Sequence, residues 1–241
     1  MEQLTDILFV DIETVPTSPT LENLPDALQG EWKKKAKFIK SGNDEHTDAA
    51  ELFKERAGIF SEFAKVVCIG FGSLHQQDGI WKMRLKSLVN EDEQALLSDF
   101  CEVLTRFTHH QKSIRFCGHN IKEFDIPFLC RRMIINNMAL PDCLQLTGKK
   151  PWEINHIDTM DMWKFGDYKH FTSLSLLAEV LGIPSPKSDM DGSMVADTFY
   201  QEKDLARIGR YCLQDVFTSA KVYLRLKGIH NTELEPIFVA D

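Results

Sequence analysis

Apolar positions along this chain follow two rhythms: short runs or alternations, and longer stripes spaced three and four residues apart. Ile7, Leu8, Phe9 and Val10 are consecutive strand-formers and predict a buried strand. Residues 66–72 predict a second buried strand. After a turn over 75–79, Trp81, Met83 and Leu85 alternate with Lys82, Arg84 and Lys86, the period of a half-exposed third. Residues 114–117 and 156–158 predict a fourth strand and a short fifth. Leu96, Leu97, Phe100, Cys101, Leu104 and Phe107 form a helical stripe, with Asn90 as N-cap and Glu93 as its capping-box partner. Pro127 suits the first turn of a helix that carries Phe128, Leu129, Met133 and Ile134 inward, which puts Asp125 at its N-terminus. A helix over 173–181 stops at Gly182 and Pro184. The last long helix, 204–226, has an inner stripe of Leu205, Ile208, Cys212, Val216, Ser219, Tyr223 and Leu226.

Residues 15–63 break the pattern. Pro16, Pro19 and Pro25 mark a loop, and two helices follow over 31–39 and 47–57, separated by a break at Ser41, Gly42, Asn43 and Asp44. The segment reads as a helical insertion after the first strand, with too little apolar content for its own core. Its lysines, Lys33, Lys34, Lys35, Lys37 and Lys40, read as a solvated helix face, with a phosphate-contacting arm as the sharper alternative. The strand order suits a meander followed by crossover connections. The expectation is an α/β fold of the ribonuclease H kind, a mixed five-stranded sheet flanked by helices, as a single domain over 1–241.

The composition changes this picture little. A hydrophobic fraction of 43% and a charged fraction of 27% over 241 residues are those of a globular chain. No apolar run approaches the roughly 18–20 residues that span a membrane. The opening residues carry acids where a secretory signal carries positive charge, and six scattered cysteines lack any CxxC pair. A cytoplasmic protein with reduced, buried thiols is expected. A net charge of −8 argues mildly against nucleic acid as a partner, although local basic patches can still steer a phosphate chain.

Chemistry enters with the acids. Asp11 and Glu13, two apart on a strand, point to one face at the strand's C-terminal end. Paired carboxylates repel, and a hard divalent cation with oxygen ligands is the usual relief; a polar strand end is the alternative. Asp125 by itself reads equally well as a helix cap. Tyr211 and Asp215, four apart on the last helix, share a face and reach one point, although boundary packing accounts for such a pair too.

Together the motifs form a pattern. Asp11-Ile12-Glu13, Asn120-x3-Phe124-Asp125 and Tyr211-x3-Asp215, in that order, resemble the DEDD 3'-5' exonuclease superfamily in its tyrosine-bearing branch. The pattern is most similar to the proofreading exonuclease of family-B DNA polymerases, here without a polymerase. The histidine-bearing branch wants His five residues before the last Asp, where this chain has Arg210. The resemblance implies that Asp11, Glu13, Asp125 and Asp215 hold two divalent metals, Mg²⁺ or Mn²⁺, with Asp11 shared. It implies that Tyr211 and Glu13 orient the attacking water, that Asn120 and Phe124 line the cleft for the 3'-terminal nucleotides, and that Thr14 sits near the terminal one. Residues 15–63 match no motif of the family, and no thumb or palm domain is present to deliver a strand.

Asp158 and Asp161 read as solvent-facing loop acids, with a supporting place near the site as the alternative. His119 reads as a phosphate contact or a backbone-bonded loop residue, and Lys187 as a surface residue rather than a substrate contact. The implied activity is release of nucleoside 5'-monophosphates from single-stranded DNA ends. An exoribonuclease is the alternative within enzymes, and an inactive nucleic-acid-binding domain the alternative outside them. Intact Asp11, Glu13, Asp125, Tyr211 and Asp215 argue against the inactive reading.

Overall fold

The fold is described from a computed structural model over residues 4–39, 48–110, 114–167, 171–184, 189–229 and 234–239. The break at Ser41, Gly42, Asn43 and Asp44, together with Lys40 and Lys187, lies outside these residues. The strand nucleated by Ile7, Leu8, Phe9 and Val10 is β1 (Ile7–Pro16), which runs well past the apolar run. It continues because Asp11 and Glu13 keep their places opposite Gly70 and Cys68 of β2 (Ala64–Gln77), and because Val15 is buried again. Asp11 and Glu13 therefore lie in mid-strand, not at its C-terminal end.

A two-residue Asp78-Gly79 turn, with both φ angles positive, joins β2 to β3 (Ile80–Val89), as right-twisted hairpins favour. Strands β4 (Arg115–Gly118) and β5 (Ile157–Asp158) run parallel to β1 on its other side. The sheet has six strands rather than five. β6 (Leu234–Phe238) adds parallel to β3, giving the order β5-β4-β1-β2-β3-β6. Pro236 hid this strand in the sequence; an edge strand tolerates the missing N–H. The architecture is a mixed α/β sheet flanked by helices, as expected apart from the added strand.

The helices are α1 (Asp26–Ala36), α2 (Ala49–Arg56), α3 (Glu93–His110), α4 (Asp125–Ile135), α5 (Thr159–Lys164), α6 (Leu174–Val180), one turn of α7 (Val195–Asp197) and α8 (Leu205–Leu226). No helix among the described residues is long and apolar enough to cross a membrane. Alternation along β1 sorts the core into two layers. Leu8, Val10 and Ile12 pack with Phe100 of α3 and Phe128 and Leu129 of α4. Ile7 and Phe9 pack with Val216, Ala220 and Tyr223 of α8, the Phe9 and Tyr223 rings meeting edge-on at 5.8 Å. Each buried Val, Leu, Ile or Phe side chain among them is worth about 1.5–3 kcal/mol.

Three local expectations are corrected. The N-cap of α3 is Asp92, whose Oδ1 accepts from the amides of Gln94 and Ala95; Asn90 Oδ1 accepts from Asp92 instead. Glu93 turns inward to Arg132 at 2.6 and 2.8 Å and also takes the Val66 amide, tying α3, α4 and β2 together. Ile134 is exposed, because the inner face of α4 is filled by Phe128, Leu129 and Met133. The described parts of the 15–63 segment, residues 15–39 and 48–63, do carry a small core. Trp32 is wholly buried against Phe53 and Phe63, with its Nε1–H donating to Ala49 O at 2.7 Å.

Candidate active site

The face of β1 that buries Ile7 and Phe9 against α8 goes on to present Asp11 and Glu13 to the same helix. Close packing makes this possible. A Cβ at Gly70, opposite Asp11, would lie 2.7 Å from Cys212 Sγ. At the other edge, β4 pairs with β1 only along Ile7, Leu8 and Phe9. A Cβ on Gly118, the last residue of β4, would sit 2.7 Å from Val10 O, so glycine lets the chain turn away there. The freed Ile12 amide donates to Asp125 Oδ1 at 3.1 Å. Asp125, from the layer on the opposite face of the sheet, thus reaches β1 and joins the acids facing α8.

The acids feel one another. Glu13 and Asp125 are 8% and 3% exposed. Burial, then the charges of Asp125, Glu13 and Asp215, pushes the Asp11 carboxyl well above its ordinary range. Burial and the charges of Asp215 and Asp125 do the same to Glu13. Burial raises Asp125 to about 7 against the pull of two backbone amides, one its own and one from Ile12. Asp215 rises to about 6, again by burial, with the Tyr211 hydroxyl bond opposing the rise. Tyr211 itself is driven far up by burial and by Asp215, Glu13 and Asp11, so its hydroxyl stays protonated and acts as a donor. Five residues spread from 11 to 215 in the sequence therefore share one electrostatic neighbourhood, the set that the motifs single out.

Ligand atoms of Asp11, Glu13 and Cys212 lie within 4.8 Å of one another. The thiol is not a ligand of the same kind as the carboxylates. Burial, Cys68 and the nearby acids raise its pKa strongly, and its Sγ lies 3.4 Å from both Asp11 O and Asp11 Oδ2, a neutral donor to the carboxylate. Crowded oxygen donors whose charges raise one another's pKa fit a hard divalent cation.

The remaining motif residues divide. Asn120 has φ +67° and a buried Oδ1 without a hydrogen-bond partner among the described residues. Phe124 is half-buried and packs on Phe128 at 5.4 Å, so part of its surface belongs to the core. The Thr14 hydroxyl is already engaged, donating to Gly58 O at 2.7 Å and tying β1 to the 15–63 segment. His119 is a bonded loop residue: Nε2 donates to Thr172 O at 2.8 Å and Nδ1 faces Thr159 Oγ1 at 2.9 Å.

One participant, Asp158, was misplaced from sequence, and another, Cys212, was placed on the inner stripe of the last helix but not linked to the acids. Asp158 is no loop acid. It is 1% exposed, caps α5, and accepts the amides of Asn120 and Lys122 at 2.9 and 3.1 Å, fastening the loop that leads to Asp125. An Asp directly before Thr159-Met160-Asp161 was the available cap signal. Asp161 is partly exposed and pairs with Lys122 and Lys164 at 3.3 and 3.2 Å. Cys212 stands three residues before Asp215 on the stripe facing β1, a spacing that could have marked it as a neighbour of the acids.

Comparison with known proteins follows this geometry. Residues 59–236 match the family described as "Predicted 3'-5' exonuclease related to the exonuclease domain of PolB". The match contains Asp125, Tyr211 and Asp215 and begins after Asp11 and Glu13. No curated protein matches the sequence. Among solved structures, the family B DNA polymerase of the hyperthermophilic archaeon Pyrobaculum calidifontis superposes with a TM-score of 0.56 at 15% identity. That likeness covers 92% of this chain and 24% of the polymerase chain, and at this identity it is a likeness of fold alone. Since the matched span is most of the chain, the protein belongs to the family of predicted 3'-5' exonucleases related to the exonuclease domain of PolB.

Proposed function

We propose that this protein is a metal-dependent 3'-5' exonuclease of the tyrosine-bearing DEDD branch, acting on single-stranded DNA and releasing nucleoside 5'-monophosphates. The observation that carries the reading is the meeting of Asp11, Glu13, Asp125 and Asp215 with the Tyr211 hydroxyl, four acids whose pKa values are raised by burial, those of Asp11 and Glu13 also by their neighbours' charges. Those four carboxylates would hold two divalent ions, Mg²⁺ or Mn²⁺. Bound ions supply Lewis-acid stabilisation of the attacking and leaving oxygens and lower the pKa of water.

The chain's own residues do the rest. Tyr211, kept protonated, donates a hydrogen bond and aims the attacking water rather than taking its proton. Glu13 takes part in the same orientation. Asp158 holds the loop carrying Asn120 against movement, and the exposed side of Phe124 offers a stacking surface to a splayed 3' base, worth about 1–3 kcal/mol.

The test is a pair of 5'-labelled oligonucleotides of one sequence, DNA and RNA, incubated with Mg²⁺ or Mn²⁺ and resolved by length. Stepwise shortening of the DNA from its 3' end is expected, with frayed ends preferred over blunt duplex. Faster loss of the RNA makes the protein an exoribonuclease. Efficient cutting of a circular single strand contradicts the reading, since an enzyme that needs a 3' terminus has none there. Binding without any degradation marks an inactive nucleic-acid-binding domain.

A further inference from the structure

Beside the 120–125 loop lies a concavity of about 550 Å³, between α4 and the 140–156 segment. The size is that of a small-molecule site. Its wall is apolar, with Ile126, Leu140, Leu144 and Ile154 among the lining. Arg131 and Lys149 line it too, both exposed and without an ion-pair partner among the described residues. Lys122 also lines it but is held by Asp161 at 3.3 Å, and Glu123 is the other acid present.

His156 sets this cavity apart from an ordinary apolar groove. It is 6% exposed and lines the cavity, yet neither ring nitrogen has a hydrogen-bond partner among the described residues. Its ring meets Phe116 edge-on at 5.2 Å. A buried polar side chain left unpaired costs stability, so the position calls for an explanation. Burial, with Lys122 and Lys149 adding to it, pushes the imidazole down to about 4, so at neutral pH it is uncharged, with one N–H donor and one bare acceptor, both shielded from solvent. A small turn of the ring would bring one of these nitrogens, as donor or as acceptor, to a nucleobase edge in the cavity, and two exposed cations suit a phosphate.

We propose that this cavity binds a nucleotide, its base among the apolar side chains against His156 and its phosphate toward Arg131 and Lys149. The choice of ligand rests on the proposed exonuclease function, because nucleotides are both the units and the products of that reaction. Lys122 and Glu123 belong to the loop that Asp158 fastens and that ends in Asp125, so an occupied cavity bears on the catalytic acids through one short segment. The same chemistry comes from a freed mononucleotide or from a nucleotide within the bound strand.

The test is calorimetric titration in EDTA, with dAMP and, separately, a phosphorothioate dA8 strand. Saturable dAMP binding is expected, unchanged in Asp11→Asn/Asp215→Asn and weakened about tenfold in His156→Leu, the size of one lost hydrogen bond. His156→Gln, which keeps a donor and an acceptor, should recover part of it. His156→Leu should fold with an equal or higher Tm, since an unpaired polar group is removed; should it not fold, Arg131→Glu/Lys149→Glu on the surface must give the same weakening. Binding of the strand alone, with the same His156 dependence, assigns the cavity to the substrate strand. Binding of neither probe, or binding indifferent to these substitutions, overturns the proposal. Strand degradation with Mn²⁺ is measured separately, so nucleotide binding without nuclease activity contradicts the exonuclease reading and leaves the cavity standing.

Discussion

Asp125 is pulled in two directions. Its place at the start of α4 and the Ile12 amide favour the charged carboxylate, and burial disfavours it more strongly, leaving its pKa at about 7. Asp215 stands at about 6. In the unfolded chain both titrate near 3.9. A carboxyl with a raised folded-state pKa contributes stability that is fully present below the unfolded value and is lost as pH rises through the folded one. The metal-free protein is therefore expected to lose thermal stability between pH 5.5 and 8. Asp125→Asn, which keeps an acceptor for Ile12, should flatten that fall and raise Tm at pH 8 while removing nearly all nuclease activity. Thermal melts in EDTA at the two pH values check the first, and a turnover assay checks the second. For Tyr211, Tyr211→Phe should lower single-turnover rates by ~10²–10³, as loss of one donor in a preorganised site does, with metal affinity preserved. Wild-type turnover in that variant would make Tyr211 a packing residue.

At the scale of elements, the site depends on how closely α8 lies on β1 and β2. Gly70→Ala would drive a methyl to 2.7 Å from Cys212 Sγ and 3.1 Å from Val216 Cγ2. Overpacking of this kind costs about 1–3 kcal/mol, and here it also moves Tyr211 and Asp215 away from Asp11. Lower Tm and lower turnover together are expected, against a Tm effect alone if the α8 spacing is immaterial to the chemistry. Asp158→Ala leaves the amides of Asn120 and Lys122 without their acceptor, at about 1–3 kcal/mol for each left unpaired. Raised KM and faster amide exchange over the 120–125 loop should follow. Much of this was legible in the chain. The alternation that buries Ile7 and Phe9 carries straight on to Asp11 and Glu13, and a three-four helical spacing places Tyr211 and Asp215 on one flank. The Ile12–Asp125 bond was not legible, because it depends on β4 ending early, a long-range fact with no local signature. Glu93 was misread for a similar reason: its partner Arg132 lies 39 residues away, while a capping box was the nearest local explanation.

The whole molecule adds what local patterns could not supply. Leu21, Leu24, Leu52, Phe53 and Phe63 gather around Trp32 because one large ring can organise scattered apolar residues that show no period. One tie to the site is Thr14, whose hydroxyl bonds Gly58. On α1, Lys34 pairs with Glu31 at 2.7 Å and Lys35 lies over the Phe60 ring at 4.1 Å, contacts of a solvated helix face. Replacing Lys33, Lys34, Lys35 and Lys37 by Gln should thus leave the salt dependence of strand binding unchanged. A phosphate-tracking arm would instead flatten the slope by roughly 0.7 log units per log salt for each lost contact. The most direct measurement on the central claim, that these acids are gathered for divalent cations, is the melting temperature of the protein titrated with Mn²⁺ at pH 8 and at pH 5.5. A saturable rise is expected, larger at pH 8, where the carboxylates are charged and repelling, and abolished in Asp11→Asn/Asp125→Asn. A melting temperature indifferent to Mn²⁺ at both pH values would contradict it.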